Sequence, residues 1–167
     1  PMRQIAAKAT GLKTVFTLGP ASYGVDLLQA IEAAGHATPR SFASPDDIAT
    51  LNYTGGTTGK SKGVVRHHRE NGAFTSAILA DFEIPHTPSY LAVAPISHVA
   101  GTKVLPTLMR GGTVHMLKGF DPEAVFATIQ RERINFTLLV PTMIYVLLDH
   151  PLLSKTDLSS LELLLYG

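Results

Sequence analysis

Eleven consecutive residues, Tyr53 to Gly63, hold four glycines, three threonines, one serine and two lysines. Each type suits the handling of a polyphosphate. Glycines let the backbone take positive φ and come close to a bulky anion, with amide N–H groups turned inward as a nest. The hydroxyls of Thr54, Thr57, Thr58 and Ser61 add donors with little bulk, and the ammonium groups of Lys60 and Lys62 neutralise phosphate charge. A second cluster, Pro95-Ile96-Ser97-His98-Val99-Ala100-Gly101, carries a histidine between a proline and a glycine. Alone, such a histidine is more often a satisfied structural residue than a reacting one. Beside a phosphate loop it becomes a candidate for handling the second reactant.

Two other readings of the loop need weighing. Glycine and threonine are common in plain surface turns, but this loop directly follows an apolar run, Ile48 to Tyr53, as strand-end ligand sites do. The phosphate-binding motif G-x-x-x-x-G-K-[ST] is suggested by Gly59-Lys60-Ser61, yet its first glycine falls on Thr54, and the motif expects a helix where Lys62 to Val65 look extended. A P-loop NTPase or kinase is therefore the alternative enzyme class. The histidines His36, His67, His86, His115 and His150 are scattered, no His/Asp/Glu set has metal-ligand spacing, and no G-x-S-x-G elbow occurs. No metal site is expected from these residues.

The elements that must position the two clusters alternate between apolar and amphipathic runs. Strands are expected at Lys13–Leu18, Ile48–Tyr53, Tyr90–Ala94, Thr113–Leu117, Asn135–Val140 and Leu161–Gly167. Helices are expected at Val25–Ala34, closed by Gly35, at Arg69–Phe82, Thr102–Met109 and Thr142–Leu148. Asp121 and Pro122 form an N-cap and first-turn proline for a helix to Arg133, with Val125, Ile129 and Ile134 on one side. Strands apolar on both faces and separated by helices imply an α/β fold: a mostly parallel, doubly wound sheet with helices on both faces. Ligands then sit at the carboxyl ends of strands, which is where both clusters fall.

With 167 residues, 45% hydrophobic and 16% charged, a globular core is expected. A net charge of +1 without basic runs argues against nucleic acid. No apolar stretch approaches the roughly 20 residues of a membrane span, and there is no cysteine for disulfides or thiolate metal sites. These features suit a cytoplasmic protein.

Residues Tyr53 to Val64 resemble the Y-T-S-G-T-T-G-x-P-K-G-V signature of the adenylate-forming, AMP-binding superfamily, matching nine of its eleven specified positions. Gly55 replaces a serine and Ser61 a proline; the first change removes a hydroxyl, the second leaves the turn before Lys62 less rigid. His68-Arg69 resembles the family's continuation. Pro95 to Gly101 resembles the P-x-x-H-x-x-G segment of acyl- and aryl-CoA ligases, and Val99 stands where fatty-acyl-AMP ligases usually have aspartate. The resemblance implies that Thr54, Gly55, Gly56, Thr57, Thr58, Gly59, Lys60 and Lys62 serve the ATP phosphates. It implies that His98 is catalytic, orienting the acyl carboxylate, and that Val99 and Gly101 line the acyl site, Gly101 leaving room for the chain. Leu161 to Gly167 is similar to the approach to the adenine-binding segment, with Gly167 as its first glycine.

The reaction so implied joins a carboxylic acid, of fatty-acid type, to AMP from ATP and then to coenzyme A, with Mg2+ held mainly by residues outside this chain. The expected organisation is an incomplete segment of an N-terminal AMP-binding domain: residues 1–47 form a preceding α/β unit and linker, and 48–167 a phosphate-loop and acyl-site subdomain. The C-terminal domain is expected to be absent. The chain alone is expected to be inactive, its partners being the small substrates and the remainder of its own chain. A non-catalytic nucleotide-binding module and a ligand-free structural piece are the other possibilities.

Overall fold

The computed structural model describes residues 4–5, 8–9, 11–35, 40–54 and 61–167. Two compact units result, Pro1–Phe42 and Ala43–Gly167. In the first, the short parallel strands β1 (Phe16–Thr17) and β2 (Val25–Asp26) precede helix α1 (Leu27–Ala34). The expected strand Lys13–Leu18 shrinks to β1. The expected helix loses its first two residues to β2, because the Asp26 carboxylate accepts from the Leu28 amide at 3.0 Å and so caps the helix at Leu27. Gly35 closes α1 with a φ of 67°.

The second unit holds two sheets. Strands β3 (Ile48–Thr54) and β4 (Lys62–His67) pair antiparallel, with a register irregularity between Ile48 and Thr50. Helix α2 (His68–Asp81) follows at once. Strands β5 (Ser89–Ala92), β6 (Thr113–Met116), β7 (Phe136–Leu139) and β8 (Leu163–Tyr166) form a wholly parallel sheet in the order β6-β5-β7-β8. Between them run a 3₁₀ turn (Val99–Lys103) continuing into α3 (Val104–Met109), then α4 (Pro122–Glu132) and α5 (Pro141–Leu148).

One expectation is corrected here. The strand before the glycine-rich loop does not belong to the parallel sheet; it forms a hairpin ribbon with β4. The reason lies in its side chains. Thr50 and Asn52 alternate with Leu51 and Tyr53, a period-two pattern that suits a ribbon with one polar face and not a strand buried on both. β5 and β7 differ: every residue of Tyr90–Ala92 and Phe136–Leu139 is buried.

The parallel sheet is covered on both faces, as doubly winding requires. Leu91, Val93 and Leu139 pack with Val125, Phe126 and Ile129 of α4, with Ile134, and with Leu147 of α5. Tyr90, Ala92, Phe136 and Leu138 point the other way, against Ile78 of α2 and Ile84, with Val104 of α3 beside them. The expected apolar side of α4, Val125, Ile129 and Ile134, is therefore core. α4 begins as expected, the Asp121 carboxylate accepting from the Glu123 amide at 3.2 Å, and ends on Arg133 in the left-handed region, φ 49°. Asn135 staples the sheet's entry edge: its Oδ1 accepts from the Ser89 amide at 2.7 Å and its Nδ2 donates to the Thr87 carbonyl at 3.2 Å. Arg110 fixes α3 to the end of α2, donating to the carbonyls of Ile84 at 2.8 Å and Leu79 at 3.3 Å. Among the described residues no helix is long and apolar enough to cross a membrane.

Candidate active site

The loop after β5 carries His98. It returns on itself sharply enough that a Cβ added to Gly101 would stand 1.8 Å from the Ile96 carbonyl oxygen. Glycine is thus required there by backbone crowding, a demand separate from any room it leaves for a substrate. The amides of His98 and Gly101 donate to the carbonyls of Pro95 and His98, both at 3.0 Å, closing two successive turns. The phenol of Tyr90, from β5, donates to the Ala100 carbonyl at 3.0 Å and anchors the turn to the core. Burial pushes that phenol well above the ordinary tyrosine range. His98 itself is exposed, with its Nδ1 2.9 Å from the Ser97 hydroxyl, a contact that orients the ring.

The ribbon meets this turn. A cleft of about 330 Å³ is walled by Thr50 and Asn52 of β3, Arg66 of β4, Asn71, Phe74 and Thr75 of α2, and Ile96, Ser97, His98, Gly101, Thr102 and Leu105. Its lining mixes hydroxyls, amides, a guanidinium and an imidazole, the donor set expected around anionic reactants. Thr50 Oγ1 is buried there without a hydrogen-bond partner among the described residues. The Arg66 guanidinium lies 5.6 Å from the Phe74 ring centroid. Thr50 stands opposite Arg66 and Asn52 opposite Val64 in the register, so these cleft residues share one face of the ribbon. His98 is thereby brought to the ribbon that bears the glycine-rich loop.

The base of α2 is held by the chain just before β3. Arg69 pairs with Asp46, the Glu70 carboxylate accepts from the His67 amide at 2.8 Å, and His67 Nδ1 lies 2.7 Å from the Asp46 carbonyl. The fate of the remaining loop residues is different: Gly55, Gly56, Thr57, Thr58, Gly59 and Lys60 lie outside the described residues. Thr54 ends β3 and Lys62 begins β4. The helix that a P-loop needs after its Lys-Ser pair is replaced by the strand Lys62–His67, which removes the kinase-like alternative.

A second pocket, also about 330 Å³, opens at the carboxyl ends of β7 and β8. Phe82, Val99, Lys103, Leu138, Leu165, Tyr166 and Gly167 line it, so Val99 and Gly167, distant in sequence, share one wall. Val99 and Lys103 line this pocket while His98, Gly101 and Thr102 line the cleft, so one short turn contributes to both. A larger groove of about 510 Å³ along α4, lined by Glu123, Gln130, Arg131 and Lys155, holds none of the expected site residues. Among the described residues no three His, Cys, Asp or Glu side chains gather to hold a metal.

Thr50, Asn52, Arg66 and Lys103 escape a reading of the sequence centred on the loop. The alternation of β3 is the signal for the first two; for Lys103 it is the one charge between Ile96 and Met109.

Comparison with known proteins identifies the family. Residues 4–167 match the AMP-binding enzyme family. The chain is 41% identical over 164 residues to the medium/long-chain-fatty-acid–CoA ligase FadD8 of Mycobacterium tuberculosis, covering 93% of this chain and 28% of that protein. It is 36% identical over 139 residues to a feruloyl-CoA synthase of an Amycolatopsis species, covering 82% of this chain and 28% of the relative. Among solved structures, the amide bond synthetase McbA of Marinactinospora thermotolerans superposes with a TM-score of 0.78 at 32% identity, over 99% of this chain and 32% of that one. The N-terminal domain of FACL13 from Mycobacterium tuberculosis gives 0.77 at 27% identity, over 84% and 35%. The chain thus spans under a third of the length of the two curated relatives. With the family match running through nearly every residue, this chain belongs to the AMP-binding enzyme family.

Proposed function

We propose that this chain supplies the phosphate grip and the acid-binding walls of a longer AMP-forming acid–thiol ligase. The observation that carries the reading is the cleft in which ribbon residues Thr50, Asn52 and Arg66 face His98. In the first half-reaction a carboxylate oxygen attacks the α-phosphorus of ATP, forming an acyl adenylate and releasing pyrophosphate. In the second, the thiol of coenzyme A attacks the acyl carbon and AMP leaves. Neither step needs a protein nucleophile; both need charge stabilisation and alignment. Thr54, Gly55, Gly56, Thr57, Thr58, Gly59, Lys60 and Lys62 are assigned to the phosphates. His98, its ring steadied by Ser97, is assigned to the incoming carboxylate.

The apolar pocket holding Val99 and Gly167 is assigned to the body of the acid. A fatty acid is the class suggested by the name of the 41% identical relative. Mg2+ commonly accompanies ATP in such chemistry, and its main ligands are assigned to residues beyond these 167, since among the described residues no cluster of three His, Cys, Asp or Glu side chains forms. The 167 residues alone are not expected to complete the reaction, and soluble ATP and coenzyme A as reactants suit the cytoplasm. The test is exchange of labelled pyrophosphate into ATP by the full-length enzyme, screened over carboxylic acids. Exchange that depends on one class of acid supports the assignment; nucleotide binding without exchange under any acid reduces the chain to a binding module.

A further inference from the structure

Three hydrogen bonds of 3.0 Å hold the main chain of the turn that bears His98: its amide donates to the Pro95 carbonyl, the Gly101 amide to the His98 carbonyl, and the Tyr90 phenol to the Ala100 carbonyl. None of them reaches the imidazole. Among the described residues the ring has one hydrogen bond, between its Nδ1 and the Ser97 hydroxyl at 2.9 Å. Both side chains line the cleft and both are exposed, so water competes for this bond and it adds little to stability. Its effect falls on the ring. With Nδ1 pinned, Nε2 is presented in one direction, whereas a free ring exchanges the two nitrogens by turning over about Cβ–Cγ. Chemistry decides which group donates. A carboxylate offers acceptors alone, and a neutral imidazole carries a single N–H. For Nε2 to meet a carboxylate it must hold that hydrogen, so Nδ1 must accept and the Ser97 hydroxyl must donate. The bond from serine to Nδ1 and the bond from Nε2 to the carboxylate then reinforce one another.

We propose that Ser97 is a positioning residue of the first half-reaction: its hydroxyl, bonded to Nδ1, fixes His98 in the tautomer and ring orientation that donate from Nε2 to the incoming carboxylate. His98 so wired is a donor and not a base. The inference rests on the assignment of His98 to the acid. Ser97 stands at an unspecified place of the P-x-x-H-x-x-G segment, so this wiring belongs to the present chain and is no part of the resemblance that singles out the histidine.

The experiment measures steady-state pyrophosphate exchange by the full-length enzyme with the fastest of acetic, decanoic and ferulic acids. Wild type is compared with Ser97→Ala, Ser97→Thr, His98→Ala and the variant that combines Ser97→Ala with His98→Ala. Ser97→Ala should raise KM for the acid by roughly three- to tenfold, the worth of one hydrogen bond, with no matching rise in KM for ATP. Ser97→Thr, which keeps the hydroxyl, should recover most of the loss. In the His98→Ala background Ser97→Ala should add nothing, because the serine acts only through the ring. A role confined to folding would move both KM values and persist without the histidine. Wild-type KM in Ser97→Ala, no recovery in Ser97→Thr, or an effect that persists in the His98→Ala background overturns the inference, and a raised acid KM in His98→Ala then leaves the assignment of His98 standing. His98→Ala without effect on KM for the acid, or no exchange with any of the three acids, overturns both.

Discussion

The Tyr90 hydroxyl donates to the Ala100 carbonyl oxygen across 3.0 Å inside the core. It ties β5, one of the two inner strands of the parallel sheet, to the turn that bears His98. The tyrosine ring is itself wedged against Phe136, centroids 4.7 Å apart, so the anchor is fixed at both ends. An exposed side chain assigned to the substrate, as His98 is in the proposed reaction, can be well placed only if its backbone is, and this bond holds that backbone.

Removing the hydroxyl should therefore cost both stability and rate. Tyr90→Phe leaves a buried carbonyl without its donor, a loss of about 1–3 kcal/mol by urea denaturation at neutral pH. The pH dependence has a definite sign. Burial raises the folded phenol above its ordinary 10.0, so the unfolded chain ionises first. The stability linked to Tyr90 is whole below about pH 10 and declines as the pH climbs above it. The gap between wild type and Tyr90→Phe should narrow by about 1 kcal/mol between pH 8 and pH 11.

Gly101→Ala tests the crowding at the same turn. The added methyl would sit 1.8 Å from the Ile96 carbonyl, so the backbone must move and His98 with it. A destabilisation of roughly 1–3 kcal/mol is expected, with loss of pyrophosphate exchange in the full-length enzyme even below the melting temperature. Unchanged stability would show that the turn is looser than described.

Much of this fold is written in local sequence signals, and the exceptions have physical causes. The helix over Pro122–Glu132 follows from Asp121, Pro122 and the apolar spacing of Val125 and Ile129, all within one element. The strands Tyr90–Ala92 and Phe136–Leu139 follow from unbroken apolar runs, the mark of a sheet buried on both faces. The pairing of β3 with β4 is less plain, because the apolar members of Ile48–Tyr53 suggest a buried strand while the alternation of Thr50 and Asn52 marks a one-sided ribbon. The tight turn that carries His98 is legible from Pro95 and Gly101. The cleft walls Arg66 and Asn71, and the buried state of Lys103, depend on contacts between α2, β4 and the 3₁₀ turn, which no single segment announces.

Asn135 is another residue whose weight comes from distant contacts. It bonds Ser89 and Thr87, more than forty positions away, and holds β5 to β7 at the start of the sheet. Asn135→Ala should lower stability by about 1–3 kcal/mol in chemical denaturation, because the Ser89 amide loses its acceptor.

Lys103→Met should act in the opposite direction. Replacing a buried amine that has no counter-charge among the described residues with an apolar side chain of similar length should raise the stability of this chain by on the order of 1 kcal/mol. Since desolvation depresses the folded lysine, the wild type is penalised as the pH falls through its lowered value. The advantage of the methionine variant should therefore shrink at strongly alkaline pH, where the lysine is neutral in both states. Melting curves at pH 7 and pH 11 check the sign.

The central claim is that the ribbon and the histidine turn serve two different reactants across one cleft. Steady-state pyrophosphate exchange by the full-length enzyme, with ATP and acid varied separately, tests it most directly. Lys62→Ala should raise KM for ATP and His98→Ala should raise KM for the acid, each lowering kcat/KM by on the order of 100-fold, the cost of a misplaced reactant. Exchange that needs no acid, or that both variants leave within about twofold of wild type, a difference under 0.5 kcal/mol, would contradict the account.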